Sequence, residues 1–384
     1  MLIGVPKEIM QGECRVSATP ETVALMVKDG LTVLVEHSAG EGSHYHDEQY
    51  VEAGAQMVSD VAEIFARADV ILKVKEPQFN REKNLHEVDM MREGQYLITF
   101  LHPASPANHD MVRNLAAKGV ISLTLDGIPR ITRAQKMDAL TSMSTCAGYK
   151  GMLMAVDMLP KFAPQVFCPV GMIKPINVFI IGAGVAGLQA FATAKRLGAV
   201  VYAADIRPEA EEQAVSLGGK VVETGVPDEV ALGPGGYALG LSEEWLSKER
   251  EALRETIVMS DIVYLSALVP NRKAPILVTE DMVKEMQPGS VLVDVSIDQG
   301  GNCELTVPGE TVVRHGVTII GIKNIPGLLP TSSTWLFSKN MYQLLTYLVK
   351  EGKMVLDMED DVIKGILTTH GGKVVHAGAL EAMN

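Results

Sequence analysis

The sequence predicts an α/β protein built from two Rossmann-like parallel-sheet domains with a cleft between them, joined by long helices. Three observations carry that prediction. Short, almost wholly apolar runs such as VFII and VTIIGI alternate with amphipathic stretches, the pattern of parallel strands covered on both faces by crossover helices. One such run, Asn177–Ile181, leads directly into Gly182-Ala-Gly184-Val-Ala-Gly187 and an alanine-rich stretch, a strand–turn–helix junction suited to close approach of a phosphate. The chain has 384 residues, more than one ordinary core encloses, so two domains follow.

Taken in order, Leu2–Val5 reads as a strand. TPETVALMVKDG reads as a helix, with Thr19 or Pro20 at its start and Gly30 after its end. LTVLVEH is the next strand, followed by a short helix through Tyr50–Gly54, a strand at AQMV, a helix over Ser59–Ala68 and a strand over Asp69–Val74. QYLITFLH, a helix around Asn108–Lys118 and VISLTL complete a βαβ domain. MDALTSMSTCAGYKGMLMAVDMLPKF has few breakers and reads as a helix joining two lobes, its methionines packing a core. In the second domain a helix follows the glycine turn, and Val200–Ala204 is a strand ending at Asp205. Thr224–Ser242, with its GPGG, reads as a surface loop and candidate lid. DIVYLSA, SVLVDVSI and VTIIGI are later strands. TSSTWLFSKNMYQLLTYLVKEG is a helix beginning at Ser332–Thr334 that returns to the first domain, and KVVHAG closes a short hairpin. Residues 1–139 with about 327–384 then form a substrate or partner domain, and residues from about 140 to 326 a nucleotide domain.

Composition narrows the function. Hydrophobic residues at 47% against 21% charged fill cores and exclude a largely disordered chain. The net charge of −13 repels phosphate at long range, which argues against nucleic acid or an anionic membrane as partner. A local cationic pocket for a phosphate or carboxylate remains allowed. Cys14, Cys146, Cys168 and Cys303 lie far apart without a CxxC pair, as in a cytoplasmic protein with reduced thiols. The histidines are scattered and Ser43–Asp47 reads as a polar turn, so no metal site is expected. MLIGVPKEI lacks the form of a signal peptide, and no apolar run approaches the roughly eighteen residues that cross a bilayer.

The glycine turn has a chemical reading. Gly182 permits a tight turn, Gly184 lets the backbone approach a pyrophosphate, and Gly187 allows close helix–strand packing. Val185 and Ala186 open the helix whose N-terminus faces the negative charge. Asp205 ends the next strand, where a carboxylate accepts the hydroxyls of an adenosine ribose and repels a 2′-phosphate, favouring NAD over NADP. Arg207 stands nearby as a group that often holds that phosphate. Ile206, Ala267 and Leu268 belong to the same expected nucleotide site.

A second set of polar residues falls where open α/β sheets bind ligands, at strand C-termini. Lys73 and Lys75 end an apolar strand in ADVILKVKEP, and alternation puts both on one face. His102 follows QYLITFL, Asp298 follows VLVDVSI, and Arg15 lies just beyond the first strand. Arg15 and Lys75 suit a substrate carboxylate and a keto or imino group, His102 a proton transfer, and Asp298 an orienting role.

Those residues, with VPKE, GECRV, KVKEP, IIGAGVAGLQAFATAKRLGA and GGNCELTVPGE, make the chain resemble one family over essentially its full length. That family joins alanine dehydrogenase to the NAD(H)-binding domain I of the alpha subunit of proton-translocating NAD(P) transhydrogenase. PRITRAQKMDALTS resembles the transhydrogenase branch's Arg-Gln-Asp loop as Arg130, Gln135 and Asp138, with Thr141 as its hydroxyl residue. In that family the Arg and Asp arrange the nicotinamide and the Gln reaches towards an NADP-binding partner. Tyr237, in GGYA, matches a mobile loop, although Leu239 stands where the resemblance implies a basic residue. The alanine dehydrogenase branch uses an Arg, a Lys, a His and an Asp on its substrate, which fall on Arg15, Lys75, His102 and Asp298. An Asn against the nicotinamide falls on Asn324.

The resemblance therefore implies a transhydrogenase-like frame with a dehydrogenase-like pocket. Hydride exchange between two nucleotides needs no substrate acid or base, whereas oxidising an amine or alcohol releases a proton. The leading expectation is an NAD-dependent dehydrogenase of a small amino or 2-hydroxy acid. The alternatives are domain I of a transhydrogenase, passing hydride to NADP on a membrane-associated partner subunit, and a non-catalytic NAD-binding protein. Both branches imply a homo-oligomer, a dimer or hexamer, in the cytoplasm or against the cytoplasmic membrane face.

Overall fold

The structure is a computed structural model that describes residues 1–233, 239–269 and 273–383. It divides into two compact units, Met1–Met143 with Gly327–Asn384, and Ser144–Pro326. Both are α/β with largely parallel sheets, the class the sequence predicts. The helix Ala139–Met158 begins in the first and continues in the second.

The first unit's sheet has eight strands, in spatial order Lys373–Val374, Leu367–His370, Ile121–Thr124, Tyr96–Thr99, Val70–Leu72, Leu2–Val5, Thr32–Glu36 and Gln56–Val58. The six N-terminal strands are parallel: Ile3 pairs with Val33 on one side and Val70 on the other. The last two form an antiparallel hairpin, and Leu367–His370 runs antiparallel to Ile121–Thr124. Ile3, Val5, Val33, Leu34, Val35, Val70 and Ile71 are fully buried, so the apolar runs become central strands because helices cover both their faces. Thr19 starts the helix Pro20–Lys28 through a reciprocal cap with Thr22. The returning helix spans Pro330–Leu348, two residues earlier than Ser332, because proline suits the first helical position. The strand expected over Asp69–Val74 stops at Leu72, so alternation does not govern the lysines beyond it. Lys73 is fully buried, and Lys75 is only partly so.

The second unit's sheet has the order Lys220–Val221, Val200–Ala204, Asn177–Ile181, Ile262–Leu265, Val291–Asp294, Val317–Ile320 and Thr311–Arg314. All pairs are parallel except the last. The chain steps outward one way from Asn177–Ile181 and then returns to its other side, which makes that strand's C-terminal end a topological switch point. Along it, Val178 and Ile180 pack with Met152, Phe191 and Tyr264, while Phe179 and Ile181 pack with Leu253, Ile257 and Met282. Alternate side chains thus enter two separate cores. Three helices here were not expected from the sequence, Pro208–Ser216, Glu243–Met259 and Glu280–Glu285. Nor was the hairpin of Val166–Cys168 with Gly171–Ile173. Within the Thr224–Ser242 stretch a short helix spans Asp228–Ala231. Among the described residues no helix is long and apolar enough to cross a membrane.

Candidate functional site

In the first unit the strand ends Val5, Leu72, Thr99 and Thr124 mark one edge of the sheet. His102 lies just past Tyr96–Thr99, with its backbone in the left-handed region at φ 45°. Two bonds to Asp126 hold it there. The His102 amide donates to Asp126 Oδ2 at 2.8 Å, and the ring Nδ1 lies 2.7 Å from Asp126 Oδ1. Thr124 donates its hydroxyl to the same carboxylate, and the imidazole stacks on Phe100 with centroids 5.7 Å apart. Burial works against the imidazolium, but the charge and hydrogen bond of Asp126 outweigh it and raise the His102 pKa. Asp126 is held down at about 2: burial raises it, and His102 and Thr124 more than reverse that. The ring remains 43% exposed, so the pair is reachable from outside. Asp126 was not among the residues singled out from the sequence. It follows VISLTL as His102 follows QYLITFL, so the same strand-end rule applied once more would have found it.

Arg15 is almost fully buried, and its guanidinium forks onto Glu13, Nε to Oε1 at 2.7 Å and Nη2 to Oε2 at 2.6 Å. Its Nη1 lies 2.9 Å from the Met143 sulfur. Burial pushes Glu13 up, but Arg15, with a smaller contribution from Lys75, pulls it below the usual carboxylate range. The charge of Lys75 acts on His102 as well. Lys75 therefore acts on Glu13, the partner of Arg15, and on His102, the partner of Asp126. Glu76 Oε2, beside Lys75, is buried and accepts no hydrogen bond from the described residues.

The Arg130–Thr141 segment belongs to the same unit and does a visible local job. Asp138 accepts from the Thr141 amide at 2.8 Å and the Thr141 hydroxyl at 2.6 Å, closing the start of the helix at Ala139. Arg130 and Gln135 are exposed on the approach to it.

In the second unit the glycine turn is tightly constrained. Gly182 has φ 89°, and a Cβ on it would lie 2.6 Å from Ala267 N. A Cβ on Gly187 would lie 2.0 Å from Gly182 O, so helix and strand meet closer than any side chain permits. Gly184 is different: among the described residues a Cβ there would meet only Arg207, at 3.8 Å. Gly184 has no side chain with which to cap the helix Val185–Arg196 that it begins, and the positive end of the helix dipole lies at that start. Val185 and Ala186 lie in its first turn. Asp205 is nearly buried, accepting from Ala183 N at 2.8 Å and from the Arg207 fork at 2.8 and 2.7 Å. Ile206 sits between the two paired side chains. Burial, then Asp205, raise the carboxyl of nearby Glu249 to about 7.

Asp298 sits exposed on a single 3-10 turn beyond Val291–Asp294. The loop carrying it is tied down by residues not singled out from the sequence. Buried Asp294 accepts from Ser296 N, Asn302 N, Cys303 N and the Thr306 hydroxyl. Buried Asn302 in turn bonds both backbone groups of Ala267, at 3.1 and 2.9 Å. Leu268, next to it, is 44% exposed. Asn324 adopts φ 55°, a conformation that asparagine tolerates. Tyr237 lies outside the described residues. No cluster of three metal-ligating side chains occurs among the described residues.

Comparison with known proteins completes the picture. The family model described as the alanine dehydrogenase/PNT N-terminal domain matches residues 4–147, and its C-terminal counterpart matches residues 151–377. The chain is 40% identical to an NAD(P) transhydrogenase alpha-subunit chain of Rhodospirillum rubrum, over 98% of both chains. It is 32% identical to alanine dehydrogenase of Staphylococcus saprophyticus, over 100% of this chain and 97% of that one. Among solved structures, a transhydrogenase from Sinorhizobium meliloti superposes with a TM-score of 0.83 at 35% identity, covering 98% of this chain and 99% of that one. An L-alanine dehydrogenase superposes with a TM-score of 0.83 at 29% identity, covering 100% of this chain and 99% of the other.

Proposed function

We propose a function from one premise: the chain belongs to the alanine dehydrogenase/PNT family. It is an NAD-dependent oxidoreductase that transfers hydride between NAD(H) and a small amino or 2-hydroxy acid. The observation that carries this reading is the His102–Asp126 pair at 2.7 Å, with Lys75 in electrostatic reach both of His102 and of Glu13 in the Arg15–Glu13 fork. Such a set can move a proton beside a carboxylate, a task that nucleotide-to-nucleotide transfer does not have.

The second unit fits the dinucleotide: the open space at Gly184 takes the pyrophosphate, and Asp205 takes the adenosine ribose once Arg207 releases it. Ala267, Leu268 and Asn324 belong to the nucleotide set of that unit. Bound nicotinamide supplies the hydride acceptor or donor at its C4. Arg15 and Lys75 hold the substrate carboxylate. In the oxidative direction neutral His102 takes the proton released from the amine or hydroxyl, and Asp126 stabilises the imidazolium that forms. For an amino acid the balance is amino acid, NAD and water giving keto acid, NADH, ammonium and one proton. Incubating the purified protein with NAD and a panel of L-amino and 2-hydroxy acids is expected to yield NADH with at least one. His102→Ala lowers that rate by about 10²–10⁴. No NADH from any acid would sink this reading.

A second reading has its own support. Forty per cent identity to a transhydrogenase subunit over nearly all of both chains, together with the Arg130–Thr141 segment, fits a subunit passing hydride to NADP on a partner that carries the membrane. Mixing the protein with a purified NADP-binding partner domain and following reduction of an NADP analogue decides between the two. In either case we place the protein in the cytoplasm, against the membrane face in the second, as a dimer or hexamer. The exposed apolar hairpin at residues 166–173 supports self-association.

A further inference from the structure

The segment that carries Lys75 leaves the sheet beyond Leu72: Lys73 N still donates to Ile98 O of the neighbouring strand at 3.1 Å, and from Val74 onward carboxylates take amides of the irregular backbone. Glu8 Oε1 accepts from Val74 N at 2.6 Å and lies 3.5 Å from Lys75 N. Glu87 Oε2 accepts from Gln78 N at 2.8 Å. One ammonium joins the two acids: Lys73 Nζ is 3.3 Å from Glu8 and 3.0 Å from Glu87. The three side chains of Lys73, Glu8 and Glu87 are 0, 2 and 1% exposed. From the other side, Thr99 donates its hydroxyl to Lys75 O at 2.9 Å. A buried ionic trio is costly to desolvate, and apolar residues of the same volume are often at least as stable in its place. What apolar residues would not supply is fixed acceptors for the irregular backbone at residues 74–78.

We infer that Glu8, Lys73 and Glu87 are positioning residues that set where the Lys75 ammonium stands, and with it the grip on the substrate carboxylate. The inference rests on the reading of Lys75 given above. Glu8 and Glu87 fix the backbone before and after Lys75, Lys73 fixes the two acids, and Thr99 fixes the Lys75 carbonyl. None of the trio touches substrate.

Glu8→Gln tests it, because glutamine keeps the length and an acceptor for Val74 N while leaving Lys73 one anionic partner. Lys73→Arg, which keeps the charge, is the conservative companion. Two measurements separate this inference from the reading beneath it. In the turnover assay, Glu8→Gln raises KM for the acid about tenfold or more with kcat and KM for NAD within about threefold, and Lys73→Arg, keeping both ion pairs, shows a smaller rise. An unchanged KM for the acid overturns the inference, as does an equal loss in every parameter that follows a lowered Tm. The second measurement needs no turnover. Lysines are dimethylated with ¹³C and the Lys75 resonance is identified by its loss in Lys75→Arg. In Glu8→Gln that resonance moves towards the exposed-lysine envelope. If no acid is turned over by the wild type, the dehydrogenase reading falls and the resonance alone decides: a shift sustains the positioning role, an unmoved signal ends it.

Discussion

His102 holds a left-handed backbone that non-glycine residues rarely adopt, and Asp126 secures it from both the amide and the ring. Two consequences follow at this scale. Because Asp126 raises the His102 pKa against burial and Lys75, oxidative kcat/KM climbs with pH through a limb above the usual imidazole range. Asp126→Asn moves that limb to lower pH while cutting the maximal rate by about 10²–10³. A limb that stays put in the variant would detach His102 from the rate. The pair's stabilisation has a matching window. Asp126 is depressed, so its share is lost as pH falls through its folded pKa of about 2. His102 is raised, so its share is complete below the unfolded imidazole value and lost as pH rises through the folded one. Glu249 has the opposite sign. Its carboxyl is raised to about 7, so the fold is disfavoured progressively from the unfolded carboxylate value up to that point, by roughly 3 kcal/mol in the limit. Glu249→Gln should therefore raise Tm more at pH 8 than at pH 5. Equal Tm gains at both values would refute the raised carboxyl.

Among the elements, the glycine turn was the most legible, because each position answers to a separate steric demand. Gly187→Ala pushes a Cβ onto backbone oxygen that cannot move aside. Thermal unfolding should report a loss of roughly 3 kcal/mol, together with lost NADH binding; an alanine variant that binds normally would contradict the packing. Strand C-termini were legible too, since apolar runs end where polar residues begin. The strand at Val70–Leu72 was overextended because Lys73 resembles an exposed alternating position. Only the tertiary neighbours Glu8 and Glu87 make it an interior residue. Helices such as Glu243–Met259 escaped notice behind their charge. The hairpin at residues 166–173 has Pro169 and Gly171 at its turn, but strands of three residues are too short to show a period, and Phe167 and Val170 are 75 and 95% exposed. Replacing Phe167, Val170 and Met172 together by serine should move the mass in light scattering towards the 41.4 kDa single chain. An unchanged assembly would remove the hairpin from the contact.

For the whole molecule, the charge of −13 constrains the long-range field only, because Gly184 and the helix it starts supply local positive potential for a nucleotide. The C-terminal return was readable as a helix and a hairpin, but not as the far edge of the first sheet, since strand partners are not written in either strand. Ser122 and Thr369 bond through their hydroxyls at 2.7 Å across 247 residues of chain. Deleting residues 361–384 should leave Ile121–Thr124 as an unprotected edge and shift the product from the soluble to the aggregated fraction; a soluble, cooperatively melting truncation would show that the hairpin is dispensable. The same closure sets an order of events on the ribosome. The second unit's residues all emerge before the first unit's last two strands exist, so residues 1–143 wait for their partner strands until after the second unit is made. During that interval the first unit's sheet presents an open edge, and only the emergence of residues 367–374 closes it.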